Sequence, residues 1–508
     1  MSPFLGEKDD ALDNIYSSTE ISIDSLDAKN AELLEWKTCG VYTEVEDKGQ
    51  GSISLRWVLK PKMINGQQSL KARLCARGFE EEQGFRTDSP TCSREGVRLA
   101  ITTIASHSWK LNSIDVRTAF LQGKEIERTV FVKPPKEANT SKIWRLNKCV
   151  YGLADASRYW YLKFREELVK LGAKPCPFDQ GIFIWTKNGT LQGIAICFVD
   201  DVIWGGNDEF SETILKLKSI FHFGSEKQTL FGFLGVDFRQ HSDYSITADQ
   251  RNYIKSVNAI PLTASDKANP SRELSDSERK SLRCALGKLN WLAGMTRPEI
   301  SFDTCEISTH IKDAKISDII RVNKVIKFVK STESYLRFPK LDLNSLSLKV
   351  FTDASWNNLP NGGSQGGQIV LLCDQMNLSS PICWNSSKLK RVARSTLAAE
   401  SLSLPEGCDS AFFVAKLISF INNSSNIPIS AYTDSDSLYK TAMTTNLTID
   451  RRLRVEISAI REMCERKEIE LIWIAKQRQL SDVLTKKGAS PHLLMEVLQT
   501  GNVSMTQH

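Results

Sequence analysis

A pair of aspartates interrupts two apolar runs in the segment L-Q-G-I-A-I-C-F-V-D-D-V-I-W-G-G, and this feature constrains the fold more than any other. Short apolar runs on both sides of a polar point predict two buried strands, so the chain must reverse direction at Asp200 and Asp201. A tight turn there places both carboxylates at the tip of a β-hairpin. Aspartate also favours turns for purely local reasons, so the pair by itself does not establish a site.

A third carboxylate, Asp115, stands in K-L-N-S-I-D-V-R-T-A-F, where an apolar strand ends and a helical pattern begins. Three carboxylates at two strand ends could hold two divalent cations, which two-metal phosphoryl transfer places about 3.5–4 Å apart. Oxygen ligands of this kind favour Mg²⁺. The pattern therefore predicts a metal site for phosphoryl transfer, with capping of the following helix as the alternative role of Asp115.

A second acidic set begins after residue 346. Its members are a strand-end aspartate in V-F-T-D-A-S, a helical glutamate in S-T-L-A-A-E-S, a strand-end aspartate in A-Y-T-D-S and a helix-start aspartate in Q-L-S-D-V-L-T-K: Asp353, Glu400, Asp434 and Asp482. Such a quartet can hold two Mg²⁺ ions around a scissile phosphate. Each residue taken singly also has an ordinary explanation, as a helix cap or as a side chain that faces water.

Two basic groups of residues predict contacts with phosphates. Residues 53–60 and 69–77 read as strands joined by an Asn65-Gly66 turn, and this hairpin carries Lys60, Lys62, Lys71, Arg73 and Arg77. A charged edge that discourages aggregation is the alternative interpretation. The second group, Lys388, Lys390, Arg391 and Arg394, precedes the helix that carries Glu400. Binding through such residues should weaken steeply with salt.

Bulk properties set wider limits on the function. The 508 residues suffice for several domains, and the net charge of +6 permits a polyanionic partner without demonstrating one. No run approaches the roughly 20 apolar residues of a membrane span, and the acidic start does not resemble a signal peptide. The 12 cysteines form no Cys-x-x-Cys pair, so the sequence indicates no zinc site.

The segments W-V-L-K, K-A-R-L-C-A-R-G-F-E-E, D-V-R-T-A-F-L-Q-G, L-N-K-C-V-Y-G-L-A-D-A-S-R-Y-W-Y and F-V-D-D follow one another along the chain. In order and spacing they resemble the reverse transcriptase of copia-type LTR retrotransposons, and the resemblance covers nearly all of residues 30–487. It implies an α/β (α+β) multidomain fold: a right-hand polymerase with fingers, palm and thumb, then an RNase H-like mixed sheet flanked by helices.

The polar, acidic composition of residues 1–25, with scattered serines, predicts a loose tail. After it, the boundaries expected along the chain are fingers and palm at 26–245, a thumb or connection at 246–345, an RNase H-like domain at 346–487 and a C-terminal tail at 488–508. The segment 233–238 resembles the part that steadies the primer end, and 287–300 resembles part of the thumb.

The resemblance assigns roles to individual residues. Asp115, Asp200 and Asp201 match the catalytic metal-binding triad of the polymerase, and the acidic quartet matches that of RNase H. Each site would take two Mg²⁺ ions, with Mn²⁺ as a possible substitute. The residues implied to bind the incoming nucleotide are Arg73, with Lys60 or Lys62 less directly, together with Tyr151 and Phe120. Phe120 matches the bulky position that excludes a ribose 2′ hydroxyl.

The chain departs from the family pattern at several points. Phe198 stands where the family usually has tyrosine before Val-Asp-Asp, which keeps the ring and removes the hydroxyl. The segment 153–157, Leu-Ala-Asp-Ala-Ser, replaces a usual Leu-Lys-Gln-Ala-Pro. No histidine lies between Asp434 and Asp482, where some ribonucleases H have one. These departures put catalytic efficiency in question more than identity.

The function that follows is RNA-directed DNA polymerase with RNase H activity. The implied partners are an RNA template, a DNA primer, an RNA/DNA hybrid and deoxynucleoside triphosphates, with no membrane, while association with a second copy or with an integrase stays open. The expected location is intracellular, either cytoplasmic in a virus-like particle or nuclear. Two alternatives are a catalytically silent or domesticated remnant that binds nucleic acid, and a bare nuclease.

Overall fold

The computed structural model describes residues 21–64, 67–82, 84–359, 362–424, 426–444 and 450–504, with the backbone alone at 21–24, 62–64 and 67–68. The architecture is mixed α/β, as predicted. Two compact units share the chain. The smaller comprises Met1–Pro90, Val116–Gly172 and Leu217–Phe223, and the larger comprises Thr91–Asp115, Ala173–Lys216 and Gly224–His508.

The helices and strands are numbered in chain order. The α-helices are α1 Ile21–Thr38, α2 Arg94–Ser106, α3 Ala156–Lys170, α4 Asp208–Ile220, α5 Arg251–Lys255, α6 Ala264–Ala268, α7 Asp276–Met295, α8 Ser301–Thr309, α9 Ile316–Ser331, α10 Thr396–Asn422, α11 Asp436–Met443, α12 Arg451–Glu465 and α13 His492–Thr500. The strands are β1 Tyr42–Val45, β2 Leu55–Ile64, β3 Gln67–Ala76, β4 Asn112–Val116, β5 Phe131–Val132, β6 Ile143–Leu146, β7 Lys174–Pro175, β8 Ile182–Lys187, β9 Thr190–Phe198, β10 Asp201–Gly206, β11 Phe223–Gln228, β12 Leu230–Phe233, β13 Val236–Gln240, β14 Ile246–Asp249, β15 Leu336–Phe338, β16 Ser347–Ser355, β17 Gln365–Cys373, β18 Ser379–Lys388, β19 Ile429–Thr433 and β20 Glu470–Trp473.

The smaller unit contains the hairpin of β2 and β3 that the sequence predicts. The two strands pair antiparallel along their length, with Leu55 opposite Ala76. The Asn65-Gly66 turn lies outside the described residues. Helix α1 packs on β3, where the buried Glu32 carboxylate accepts a hydrogen bond of 3.3 Å from the Leu74 backbone N–H. Strand β3 is at the edge of its sheet. The Glu32 carboxylate therefore supplies the hydrogen-bond acceptor that the backbone of a further strand would otherwise give to this N–H group.

The larger unit is organised around two sheets. The first has six strands in the order β11-β4-β10-β9-β8-β7, and the second has five in the order β18-β17-β16-β19-β20. In the second, β16 pairs antiparallel with β17 and parallel with β19. Helix α10 lies across β16 and β17. At Gly407 a Cβ atom would stand 2.4 Å from Thr352 Cγ2, so this close approach of helix and strand requires glycine.

Both sheets contribute to one hydrophobic core. Ile203 of β10 and Phe351 of β16 belong to the same buried cluster. Arg98 of α2 crosses it: its guanidinium donates to the backbone oxygens of Ile382 at 2.9 Å and Gly294 at 2.6 Å, and its Cζ lies 3.7 Å from the centroid of the Trp384 ring. Burial lowers the pKa of Arg98 to about 10. The carbonyl groups therefore compensate for the loss of water around a buried cation.

Two further parts of the larger unit complete the fold. A four-stranded sheet, β12-β13-β14-β15, contains the segment 233–238, in which Phe233 pairs with Val236 across a tight turn. Helices α7 and α9 pack together around a second apolar core that includes Leu282, Leu289 and Val322. Within the described residues, no helix combines the length and the apolar character that crossing a bilayer requires.

The segment 488–508, expected to be a C-terminal tail, contains helix α13. Its Leu494, Val497 and Leu498 side chains are buried in the core of the larger unit. The apolar spacing of these three residues is that of one helix face, which the sequence analysis did not use. The described residues of this segment therefore pack as part of the fold.

Candidate metal centres

The first group of carboxylates lies on the six-stranded sheet. Strands β9 and β10 form the predicted hairpin, with Phe198 opposite Asp201 and with Asp200 in the turn. Strand β4 pairs antiparallel with β10 and places Asp115 directly opposite Asp201. Directly opposite residues of antiparallel strands have Cβ atoms about 4.5–5.5 Å apart. The structure therefore brings together the three aspartates that the sequence selects.

The surroundings of this group show what the carboxylates are suited to hold. Burial, followed by the charges of Asp200 and Asp115, raises the pKa of Asp201 to about 6. Lys227 acts in the opposite direction but does not outweigh these effects. Carboxylates that repel one another at a partly buried site are stabilised by a cation placed between them.

A glycine on the neighbouring strand leaves room for this group. A Cβ atom at Gly224 would stand 2.6 Å from Asp115 Oδ2, closer than real Cβ atoms come to an oxygen. Residue 224 therefore has to be glycine for Asp115 to keep its position. The alternative role of Asp115 as a helix cap is not observed, because Thr118 is the N-cap residue of the short 3₁₀ helix that follows.

The second group lies on the five-stranded sheet. Asp353 is in β16, Asp434 directly follows β19, and Glu400 is in α10. Because β16 and β19 are adjacent parallel strands, their carboxyl ends lie at the same edge of the sheet. One carboxylate oxygen from each of the three residues lies within 4.8 Å of the other two. This spacing is compatible with ligands of a shared metal ion.

Burial makes these charges costly. Glu400 is 4 % exposed and Asp353 is 1 % exposed. Burial, followed by the neighbouring Asp353 and Asp434, raises the pKa of Glu400 well above its usual range. Glu400 Oε2 has no hydrogen-bond partner among the described residues. An orphaned, buried carboxylate oxygen facing two further carboxylates fits a divalent cation with oxygen ligands, such as Mg²⁺.

The ordinary explanations of Glu400 and Asp434 fail in this structure. Glu400 does not face water, and the N-cap of α11 is Ser435, whose side chain accepts from the Leu438 N–H, rather than Asp434. Neither of these ordinary explanations therefore applies to Glu400 or Asp434. Their juxtaposition with Asp353 is what the sequence predicted.

Asp482 joins the group indirectly. It lies in a 3₁₀ helix at Leu480–Leu484, outside the set of three, and Lys486 connects it to Asp353. The Lys486 ammonium is 3.2 Å from Asp353 Oδ1 and also contacts Asp482 Oδ1, while the Thr485 hydroxyl donates to Asp353 Oδ2. Burial alone would lower the pKa of Lys486, but Asp353 and Asp482 outweigh it and raise that pKa.

Sequence reasoning missed Lys486 and Thr485. A signal was present, since Asp482 and Lys486 are four residues apart in a helical pattern, a spacing that favours an ion pair. That spacing explains the contact between Asp482 and Lys486. It does not reveal that Asp353, distant in sequence, shares the same ammonium group.

The predicted nucleotide-binding residues lie in the smaller unit. The Arg73 Cζ lies 4.9 Å from the centroid of the Tyr151 ring, and the Tyr151 and Phe120 rings are 4.9 Å apart. Lys60 is exposed and lies opposite Lys71 in the pairing of β2 with β3. Both residues are on the same face of the hairpin as Arg73. The side chain of Lys62 lies outside the described residues. The structure therefore groups Arg73, Tyr151 and Phe120 in one stack.

The altered segment 153–157 has a structural role in the smaller unit. Asp155 is 1 % exposed and accepts a hydrogen bond of 3.0 Å from the Arg128 guanidinium, which also pairs with Glu81. The acid that departs from the family pattern is therefore a buried carboxylate paired with a partly buried arginine. Its replacement by a neutral residue would leave Arg128 with one carboxylate partner fewer.

Known proteins resemble this chain in sequence. Residues 40–270 match the family described as reverse transcriptase (RNA-dependent DNA polymerase). The chain is 25 % identical over 460 residues to the retrovirus-related Pol polyprotein from transposon RE1 of Arabidopsis thaliana, covering 85 % of this chain and 30 % of that protein. It is 26 % identical over 501 residues to the corresponding polyprotein from transposon TNT 1-94 of Nicotiana tabacum, covering 90 % and 36 %. The chain thus spans about a third of the length of these relatives.

Among solved structures, the chain resembles a foamy viral protease-reverse transcriptase in complex with dsDNA. The identity is 14 %, the TM-score is 0.48, and the match covers 91 % of this chain and 84 % of that one. The resemblance to copia-type Pol proteins that the sequence motifs indicated is confirmed by the family match and the transposon relatives. Residues 40–270 therefore match the reverse transcriptase family, and most of the chain is similar to the Pol polyproteins of retrotransposons.

Proposed function

We propose that this chain is an RNA-directed DNA polymerase that also cleaves the RNA strand of RNA/DNA hybrids. The observation that carries the proposal is the presence of two separate groups of carboxylates on two different sheets. The family match supports the first activity. The second is supported by three carboxylates within 4.8 Å of one another on a mixed sheet crossed by a helix.

At the polymerase site, Asp115, Asp200 and Asp201 would hold Mg²⁺. Mg²⁺ held there would supply activation of the primer 3′ hydroxyl and stabilisation of the departing pyrophosphate. The chain supplies the geometry: paired strands fix Asp115 against Asp201, and the turn carries Asp200. The Asp201 carboxyl, whose pKa is about 6, is ionised at neutral pH and so available as a ligand.

In the smaller unit, the stack of Arg73, Tyr151 and Phe120 supplies nucleotide recognition. The Arg73 guanidinium, held over an aromatic ring, presents its donors to a triphosphate with little loss of side-chain freedom. The Phe120 ring packs on Tyr151 and is thereby held as a rigid wall against a ribose 2′ hydroxyl. We infer that deoxynucleoside triphosphates are the substrates.

At the nuclease site, Asp353, Glu400, Asp434 and Asp482 would hold Mg²⁺, which would supply activation of the attacking water and stabilisation of the scissile phosphate. Helix α10 is held on β16 by the Ser403 hydroxyl, which donates to the Asp353 backbone oxygen at 3.0 Å. This bond sets the position of Glu400, one helical turn earlier, relative to Asp353. Preorganised carboxylates of this kind need no rearrangement when the substrate arrives.

Binding of nucleic acid would rest on exposed cations. Lys388, Lys390 and Arg394 are exposed in the segment that precedes α10, and Arg391, also exposed, pairs with Glu456 at 2.7 Å. Phosphate contacts of this kind read the backbone rather than the bases. Affinity for an RNA/DNA hybrid should therefore fall steeply as salt rises, with little dependence on sequence.

The proposal is tested by separating the two activities. We expect Asp200→Asn to abolish extension of a DNA primer on an RNA template with Mg²⁺, while cleavage of a labelled RNA/DNA hybrid continues. We expect Glu400→Gln to show the reverse. Asp208→Asn, which removes an exposed carboxylate of the larger unit, is the matched control and should leave both reactions unchanged.

Other outcomes identify other functions. Equal loss of both activities in Asp200→Asn would contradict the assignment of two independent sites. Hybrid cleavage without nucleotide incorporation by the unaltered chain would identify a nuclease alone. Salt-sensitive hybrid binding without either reaction would identify a catalytically silent remnant.

A further inference from the structure

Lys486 lies between two carboxylates of the nuclease centre. Its Nζ is 3.2 Å from Asp353 Oδ1 and also contacts Asp482 Oδ1. The side chain of Asp353 is 1 % exposed and that of Asp482 is 25 % exposed. A positive charge therefore already sits between these two residues, in a position where a metal ion shared by both would have to bind.

The rest of the centre is arranged differently. Asp353, Glu400 and Asp434 approach one another within 4.8 Å, and Glu400 Oε2 lacks a hydrogen-bond partner among the described residues. This side of the centre has carboxylate oxygens available, whereas the side formed by Asp353 and Asp482 is bridged by an ammonium group. The two sides are thus unequal before any ion binds.

We propose that Lys486 is an internal cation that closes one of the two metal positions, so that the nuclease centre takes up its ions one after the other. The inference rests on the proposed nuclease function and adds a residue that controls metal loading. The first ion binds Asp353, Glu400 and Asp434. The second, between Asp353 and Asp482, binds only when the Lys486 ammonium has moved away.

The structure provides a place for the displaced side chain. Lys486 lines a cavity of about 340 Å³ whose walls include Phe302, Glu306 and Asn358. Glu306 is 7 % exposed, and its carboxylate is paired with the Arg321 guanidinium at 2.6 Å. A lysine side chain has four methylene groups and can move its ammonium group without a change of the backbone. The cavity therefore gives the Lys486 ammonium group open space into which it can withdraw from Asp353 and Asp482.

The effect on metal binding follows from charge. The ammonium group and a divalent cation compete for the same two carboxylates, and they repel each other if both are present. Removal of the lysine charge should therefore raise the affinity for the second ion by at least about tenfold, while the first site changes less. Lys486 acts here as a positioning residue, because its contacts are to carboxylates that would ligate the metal.

The test measures metal binding and not turnover. Mn²⁺ is titrated into the full chain carrying Asp200→Asn and Asp201→Asn, which remove ligands of the polymerase centre, and unbound Mn²⁺ is measured by electron paramagnetic resonance. In this background we expect one tight and one weak Mn²⁺ ion. Adding Lys486→Met should give two tight ions. Lys487→Met, which removes an exposed lysine of the same cavity, should reproduce the background.

Two further variants keep the test decisive. Lys486→Arg retains the positive charge and should keep the second ion weak. Lys486→Gln is a second variant without the charge, and it keeps the comparison valid if Lys486→Met lowers the thermal stability of the chain. Identical binding curves for the background and for both uncharged variants would overturn the role of Lys486 while leaving the nuclease site intact. Failure of every protein to bind Mn²⁺ would overturn the proposed nuclease function, and this inference with it.

Discussion

The partly buried Asp201 should contribute to the pH dependence of the chain's stability, and the substitution Asp201→Asn should remove that contribution. Burial and two neighbouring carboxylates raise the pKa of Asp201 from 3.8 to about 6 in the folded protein. An acid whose folded pKa is raised stabilises the fold when protonated. That stability is fully present below pH 3.8 and is lost as pH rises to about 6.

The magnitude follows from the same pKa. A rise from 3.8 to about 6 corresponds to about 3 kcal/mol at neutral pH, because each unit of pKa is worth about 1.4 kcal/mol. The Asp201 side chain is only partly buried, and solvent screening reduces the effect to about 1–2 kcal/mol. Such a difference moves the midpoint of thermal unfolding by a few degrees. For a protein unit of this size, each kcal/mol shifts the midpoint by at most about 2–4 °C.

The assay is thermal unfolding of the full chain in EDTA at constant ionic strength, at a series of pH values from 4 to 8. We expect the unfolding midpoints of Asp201→Asn and of the unaltered chain to lie together near pH 4, to separate in favour of Asp201→Asn as pH rises from 4 to 6, and to differ by a constant amount above pH 6. Asp208→Asn, which removes an exposed carboxylate, should follow the unaltered chain. Parallel curves for the unaltered chain and Asp201→Asn would refute the reasoning.

Three further substitutions test packing and recognition. Arg98→Ala removes hydrogen bonds to buried carbonyl groups, so the free energy of unfolding measured by urea denaturation should fall by about 3–5 kcal/mol; a loss below about 1 kcal/mol would contradict this. Gly224→Ala should displace Asp115 and reduce primer extension by about 100-fold, with hybrid cleavage as the unaffected control. Phe120→Val should increase ribonucleotide incorporation by about ten- to hundredfold in single-nucleotide extension assays, and unchanged selectivity would show that the ring is not the discriminating wall.

Much of the candidate chemistry could be predicted from the sequence. The reversal at Asp200 and Asp201 follows from two apolar runs that cannot continue through a pair of charges, and the structure contains that hairpin. The order of acids after residue 346 also predicted the elements that carry them, because an acid at the end of an apolar run marks a strand end. These are local properties of the chain, which a pattern of neighbouring residues records directly.

Tertiary structure decided the contacts between distant segments. The sequence did not show that Lys486 joins Asp353 to Asp482, that Arg98 ties α2 to β18, or that α13 packs into the core. Hydrophobic periodicity reports which face of an element is buried, but it does not report which distant element covers that face. The partners of a buried charge are set by the packing of elements far apart along the chain, so they become visible only when the chain is folded.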